Sequence, residues 1–345
     1  MFKGCYTASV TPMRDDGSVD YDGFDQLMEF QITNGIQGII AVGTTGESPT
    51  LLWEEHNEII ERSRSATDGR CQLVAGTGSN STRETLAGTE HAAHVNADGV
   101  LLVDPYYNGP SSLEIRREYI EPVAREFSDM PIIPYIIPGR TGTMMHVEDL
   151  AILAEAHPNV STVKEATGDY DNMAKTRRLC GDDFCILSGD DDKTVEMMKR
   201  DDIKAAGVIS VMSNVIPGPL VNMTAMLNDG DTAGADALAA NLQPLFGCVG
   251  VTTTESSSHG SVECKSRNPV PVKSLMSVLG MPSGRSRRPL GKMTAAGLDV
   301  IVQAALAVHR NDPSLLNPIG DFFGVDVEAR LNDAAAQGGL TYDAY

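Results

Sequence analysis

The feature that most constrains this chain is a repeated alternation. Short runs rich in Val and Ile recur eight times, and longer segments of helical periodicity separate them. The runs lie at residues 4–12, 35–43, 71–78, 98–105, 131–138, 160–167, 184–191 and 205–213. Nearly continuous apolar strands suit a parallel sheet covered on both faces, and each parallel pair needs a crossover, which the intervening helix supplies. Between the first two runs Phe24, Leu27, Met28 and Phe30 mark one helical face, and after the third, Ser81-Thr82-Arg83-Glu84 has the spacing of a capping box. An open doubly wound sheet would carry a G-x-G-x-x-G turn after an early strand, and the sequence has none. Eight βα units predict a closed TIM (β/α)8 barrel.

Such barrels occupy about 250 residues, so a chain of 345 has room for an appendage. Periodic segments at 219–227, 232–246, 270–279 and 294–310 predict helices with no further strands. We therefore divide the chain into a barrel over residues 1–230 and a C-terminal helical extension over 231–345. Within the extension, residues 250–267 are rich in Thr, Ser and Gly with little apolar periodicity and read as an inserted mobile loop, and residues 311–345 read as a polar tail.

Charge excludes some functions. A net charge of −20 repels phosphate backbones, and the only basic cluster is Arg285-Ser286-Arg287-Arg288, so nucleic acid is not an expected partner. We read the acidic surplus as a surface kept soluble by self-repulsion. No apolar run approaches the roughly 20 residues that cross a bilayer, and the opening Met-Phe-Lys-Gly-Cys lacks a secretory apolar stretch, so no membrane is expected and a cytoplasmic location is. Cys5, Cys71, Cys180, Cys185, Cys248 and Cys264 form no C-x-x-C pair and no His-clustered spacing. They read as reduced, mostly buried thiols, with neither a metal site nor a redox motif.

In a barrel of this kind, polar residues that close each apolar run stand at the catalytic end. Lys164 ends the sixth run in Val-Ser-Thr-Val-Lys-Glu-Ala-Thr, where strand alternation points it into the barrel mouth. Burial there disfavours the ammonium form and makes a carbonyl-attacking amine. The alternative is an ion pair with Glu47, Glu165 or Asp169. The second run closes in Gly43-Thr44-Thr45-Gly46-Glu47-Ser48, whose glycines let the backbone approach a ligand and present amides to a carboxylate, with Thr45 adding a hydroxyl relay. The other reading is an ordinary Gly-rich turn stitched by threonines. The fifth run ends Tyr135-Ile136-Ile137-Pro138-Gly139-Arg140-Thr141-Gly142, offering a phenol for proton transfer and a guanidinium for bidentate carboxylate binding. Tyr106 and Tyr107 close the fourth, either at the functional rim or in the core.

The order and spacing of these pieces resemble the dihydrodipicolinate synthase and N-acetylneuraminate lyase superfamily from Phe2 to about Leu306. The matching pieces are Gly43-Thr44-Thr45-Gly46-Glu47, Asp104-Pro105-Tyr106-Tyr107-Asn108, Tyr135 with Pro138 and Arg140-Thr141-Gly142, and Val163-Lys164-Glu165. Further matches are Ser188-Gly189-Asp190-Asp191, Gly207-Val208-Ile209-Ser210 and Asn268-Pro269-Val270-Pro271-Val272-Lys273. The resemblance implies that Lys164 forms a Schiff base with pyruvate, that Thr45, Tyr135 and Tyr107 relay protons, and that Tyr107 arrives across a subunit interface. It implies carboxylate binding by the amides of Thr44 and Thr45, with Gly189 and Ile209 also at the substrate. Arg140 is similar to the residue with which the synthase branch binds L-aspartate semialdehyde. No metal or organic cofactor is implied, since the protonated imine is the electron sink.

Ser48, Trp53, His56, Asn80, Glu84 and Tyr106 resemble the lysine feedback site of regulated synthases, making L-lysine a candidate inhibitor; a surface hydrogen-bond pair of His56 and Glu84 is the plainer reading. A homo-oligomer, tetramer or dimer, is expected because Tyr107 must cross an interface. One departure is that Ile136 replaces the family's usual Asn, which on the sequence removes a polar group beside Tyr135. Two rivals stay open: another pyruvate aldolase or dehydratase acting on a 2-keto-3-deoxy sugar acid or sialic acid, and a silent barrel that senses a small ligand.

Overall fold

A computed structural model describes residues 2–345. Its eight inner strands are β1 (Gly4–Ala8), β2 (Gly38–Ala41), β3 (Gln72–Gly76), β4 (Gly99–Val103), β5 (Ile132–Ile136), β6 (Thr162–Glu165), β7 (Cys185–Ser188) and β8 (Gly207–Ser210). Each pairs in parallel with the next, and β8 closes on β1 with Ile209 opposite Tyr6. The barrel predicted from the alternation is the fold.

Strand alternation makes two cores. Tyr6, Ile40, Val74, Leu101, Ile133, Tyr135, Leu187 and Ile209 fill the barrel interior. Their neighbours Cys5, Ile39, Leu73, Val100, Ile136, Val163, Ile186 and Val208 face the surrounding helices. The two-residue period therefore decides which side chains reach the barrel mouth. On β6 it turns Val163 outward and Lys164 inward, and the register sets Lys164 beside Tyr135.

The helix Tyr21–Thr33 buries Phe24, Leu27, Met28 and Phe30 as the periodicity predicts. The helix Thr82–His94 starts after Ser81, but the capping box does not form. The Ser81 hydroxyl makes no cap bond, and the Glu84 carboxylate instead accepts from the Ser79 hydroxyl. Helices at Pro217–Asn228, Thr232–Phe246, Val270–Val278 and Ala295–Asn311 follow the C-terminal periodicity closely.

Two segments differ from their sequence reading. Residues 250–267, expected as a mobile loop, form an antiparallel hairpin of β9 (Gly250–Ser257) and β10 (Gly260–Arg267). Thr252, Thr254, Glu263 and Lys265 are exposed on one face, while Thr253, Glu255, Val262 and Cys264 are half-buried on the other. A ribbon with so little apolar burial gives no hydrophobic alternation to read. The β-branched run Val251-Thr252-Thr253-Thr254 and the turn glycine Gly260, at φ +115°, were the available signals. The polar tail is also folded. Helices Asn317–Phe323 and Val327–Asn332 bury Ile319, Val327 and Leu331, and the rings of Phe322 and Phe323 sit 5.4 and 5.2 Å from that of Phe30. All six cysteines are free thiols, Cys5, Cys185 and Cys248 buried and the other three half-buried. Among the described residues no helix is long and apolar enough to cross a membrane.

Candidate active site

Lys164 is 4% exposed, and its ammonium nitrogen lies 4.2 Å from the centre of the Tyr135 ring. None of the three carboxylates that could have neutralised it does so. Glu47 is bound to Lys273, and Glu165 accepts from the Thr167 amide at 2.7 Å and from Asn172 at 3.0 Å. Asp169 caps the helix Tyr170–Cys180. Burial therefore dominates and brings the Lys164 pKa down from its ordinary 10.5 to about 8, against the opposing pull of Asp190 and Asp191. Those two acids follow β7 and had no assigned role on the sequence. Asp191 is fixed by the Val211 and Met212 amides at 3.0 and 3.1 Å, and burial pushes it up to about 6. Gly189 makes room for the lysine arm: a Cβ there would stand 2.6 Å from the Ala166 Cβ and 3.2 Å from the Lys164 Cε.

A cavity of about 190 Å³ opens over the C-terminal ends of β2 to β5. Gly43, Thr44, Ser48, Tyr106, Tyr135, Arg140 and Thr141 are among its lining residues. Tyr135 is held protonated, since burial pushes its phenol up to about 12 despite the opposing effects of Arg140 and Thr44. Ile137 lines the cavity, whereas Ile136 is 1% exposed and packs against the outer helices. The Asn-to-Ile departure thus lies behind the sheet rather than beside the phenol.

The segment after β2 is locked from behind. Glu47 takes a left-handed backbone at φ +59°, and its buried carboxylate accepts from the Lys273 ammonium at 2.6 Å and from the Arg287 amide at 2.7 Å. Lys273, itself 1% exposed, also donates to the carbonyls of Thr11 and Arg285 at 2.9 and 3.1 Å. Arg287 forks onto Glu55. In front, the Asn268 side chain donates to the Thr45 hydroxyl at 2.9 Å, and the Asn268 carbonyl accepts from Arg140 at 3.0 Å. Asn268 and Lys273 stood in a quoted motif without a role. Nothing local assigns one, because the Thr45 hydroxyl and the Glu47 carboxylate that they bind lie more than 200 positions away in the chain.

The structure does not gather every predicted residue. Lys164, Thr45, Gly189 and Ile209 are not among the residues that line the cavity; Lys164 and Thr45 are buried beside lining residues, and Ile209 is fully buried inside the barrel. Tyr107 is 92% exposed, at φ +76°, and is not among the residues that line the cavity. Of the candidate lysine residues, Ser48 and Tyr106 line the main cavity, and Asn80 joins Tyr106 along an adjoining groove of about 330 Å³. His56 is buried, packs at a tilt against Trp53 with ring centres 4.8 Å apart and bonds the Gly76 carbonyl at 3.0 Å; burial lowers its pKa to about 4. It forms no surface pair with Glu84.

The dihydrodipicolinate synthetase family pattern matches residues 1–306. The chain belongs to the dihydrodipicolinate synthetase family. A 4-hydroxy-tetrahydrodipicolinate synthase of Leptospira biflexa is 39% identical over 294 residues, 85% of this chain and 93% of that one. Two solved structures of the family superpose closely. The enzyme from Cyanidioschyzon merolae with lysine bound is 35% identical with a TM-score of 0.80, covering 89% of this chain and 98% of that one. The chloride-inhibited dihydrodipicolinate synthase from Acinetobacter baumannii, complexed with pyruvate, is 31% identical with a TM-score of 0.77, covering 89% and 99%. The family match ends within the helix Ala295–Asn311, so the folded tail lies beyond it.

Proposed function

We propose that this protein condenses pyruvate with L-aspartate semialdehyde to 4-hydroxy-tetrahydrodipicolinate, a step of diaminopimelate and lysine biosynthesis in the cytoplasm. The observation that carries the reading is Lys164: a buried amine with no carboxylate ion pair, a pKa near 8, and beside it a protonated phenol that lines a cavity. Names and bound ligands of the relatives support the same chemistry.

The neutral Lys164 amine attacks C2 of pyruvate, and water leaves to give the imine, with Tyr135 and Thr45 passing the protons. The Thr44 and Thr45 amides bind the pyruvate carboxylate. Loss of a C3 proton gives the enamine, whose C3 forms the new carbon–carbon bond to the semialdehyde carbonyl carbon while the aldehyde oxygen takes up a proton. Arg140 binds the semialdehyde carboxylate. The amino group of the second substrate then displaces Lys164 and closes the ring, returning the free amine. Gly189 contributes the space that Lys164 occupies, and Ile209 contributes the wall beneath it.

Tyr107 completes the relay in a neighbouring subunit, which makes the working form a dimer or tetramer. L-lysine is the proposed inhibitor, taken up by Ser48, Trp53, His56, Asn80, Glu84 and Tyr106, of which Tyr106 lines both openings; the lysine-bound relative supports this. A dose-response flat up to millimolar L-lysine would refute it.

The deciding experiment is pyruvate consumption with and without L-aspartate semialdehyde, with Lys164→Ala as control. Turnover that needs both substrates and vanishes in the variant establishes the synthase. Borohydride trapping of pyruvate on Lys164 without semialdehyde-dependent turnover moves the substrate to a sugar acid.

A further inference from the structure

Beside the cavity, Arg140, which lines it, and the exposed Arg267 of the hairpin are linked by crossed contacts. The Arg267 guanidinium donates to the Gly139 carbonyl at 2.8 Å, and the Arg140 guanidinium donates to the Asn268 carbonyl at 3.0 Å. Each side chain thus holds the backbone next to the other's, and the two cations are fixed on four adjoining residues. Arg267 is the last residue of β10, so the hairpin delivers it to this place.

Neither guanidinium has a carboxylate within 4.0 Å among the described residues. Arg62, Arg70, Arg116, Arg200 and Arg287 do have such partners, so in a chain of net charge −20 these two cations remain open to an anion from outside. Two like charges brought together without a counter-ion repel, and the repulsion is relieved when an anion enters between them. Burial lowers the Arg140 pKa most, and the nearby Arg267 adds to that effect while Tyr135 and Asp190 oppose it. Arg140 lines the cavity, so an anion bound there faces the Tyr135 phenol and, through it, Lys164.

We propose that Arg267 is a second substrate-binding cation, which together with Arg140 clamps the carboxylate of the incoming semialdehyde. The inference rests on the synthase reading above. It explains why the hairpin ends where it does: its final residue-pair, Gly250 opposite Arg267, closes directly over the Gly139–Arg140 turn. It also makes charge at residue 267 a determinant of preference for an acidic second substrate over a neutral polyhydroxylated one, since a neutral substrate gains nothing from a second cation.

The test is steady-state kinetics of wild type, Arg267→Gln and Arg267→Lys, with both substrates varied at low and high salt, and thermal unfolding as the check on folding. Loss of one charge-assisted contact in Arg267→Gln is expected to raise the KM for semialdehyde about tenfold. The KM for pyruvate, borohydride trapping on Lys164 and the Tm stay unchanged. Arg267→Lys recovers most of the loss, and the salt sensitivity of the semialdehyde KM shrinks in Arg267→Gln. An unchanged semialdehyde KM overturns the proposal. So does an equal rise in both KM values, or failure of lysine to recover function, since either marks Arg267 as a brace for the Gly139 turn. Failure of the synthase reading has a separate signature, namely wild-type protein that traps pyruvate but never turns over semialdehyde, and the proposal then falls with it.

Discussion

At the scale of single residues, the site is governed by what burial does to charge. Lys164 must be neutral to attack, and with a pKa of about 8 it is mostly ammonium in neutral solution. Pyruvate adduct formation is therefore expected to rise about tenfold per pH unit below 8 and to level off above it, measured as the initial rate of borohydride-trapped label. The same shift has a stability consequence. The folded pKa lies below the unfolded 10.5, so the fold is penalised wherever the lysine is charged: fully below about pH 8, and progressively less between 8 and 10.5. Lys164→Met should abolish activity yet stabilise the protein near pH 7 by up to about 3 kcal/mol, with the gain shrinking toward pH 10. Loss of a counter-charge for Asp190 and Asp191 trims that figure. Thermal unfolding at the two pH values is the check, and a variant less stable than wild type at pH 7 would contradict a lysine held at a cost. Asn268 works through its neighbours, orienting the Thr45 hydroxyl and Arg140. Asn268→Ala is expected to lower kcat roughly tenfold while leaving the pyruvate-trapping lysine in place.

At the scale of elements, the segment after β2 shows how a catalytic turn is kept in one shape. Glu47 is fully buried in an unfavourable backbone region and is matched by a fully buried lysine from the helix Val270–Val278. Lys273→Met leaves that carboxylate with only the Arg287 amide, and should destabilise the fold by about 3–5 kcal/mol. The double change Lys273→Met with Glu47→Gln should recover part of this loss, and comparing the two Tm values separates an unpaired charge from a packing defect. This pairing also marks where sequence reading stops. The eight strands were legible because strands buried on both faces announce themselves as apolar runs, and Lys164, Thr45 and Tyr135 because they end such runs. Ile136 follows Tyr135 on β5, so the period of two that turns the phenol into the barrel turns Ile136 out toward the helices. The Glu47–Lys273 and Thr45–Asn268 contacts were illegible in principle, since they join residues 226 and 223 positions apart and depend on closure of the whole barrel. The hairpin was missed for the opposite reason: it is held by backbone pairing with almost no hydrophobic burial.

At the scale of the whole molecule, the exposed apolar and aromatic side chains decide where a second subunit would sit. Tyr107 is 92% exposed in a strained conformation, and exposed Leu113 lies in the short helix Ser112–Glu114 that follows. Leu52 and Trp53, 66% and 38% exposed, belong to the corresponding segment after β2. A large aromatic side chain is not held in a left-handed backbone to face water, and apolar groups gathered on the loops at one end of a barrel favour association. In a two-fold dimer each active site would then combine Lys164 of one subunit with the phenol of the other. Tyr107→Phe and Lys164→Ala homodimers should each be nearly inactive. In a heterodimer of the two, one site receives both defects and the other receives neither. Random exchange of subunits makes half the dimers mixed, so a remixed equimolar sample should recover about a quarter of wild-type activity. The assay is turnover before and after unfolding and joint refolding of the two variants. Recovery near that fraction locates Tyr107 in the partner's site. No recovery, with mixed dimers demonstrated by differential tagging, confines the chemistry to one subunit and leaves the exposed tyrosine to assembly alone.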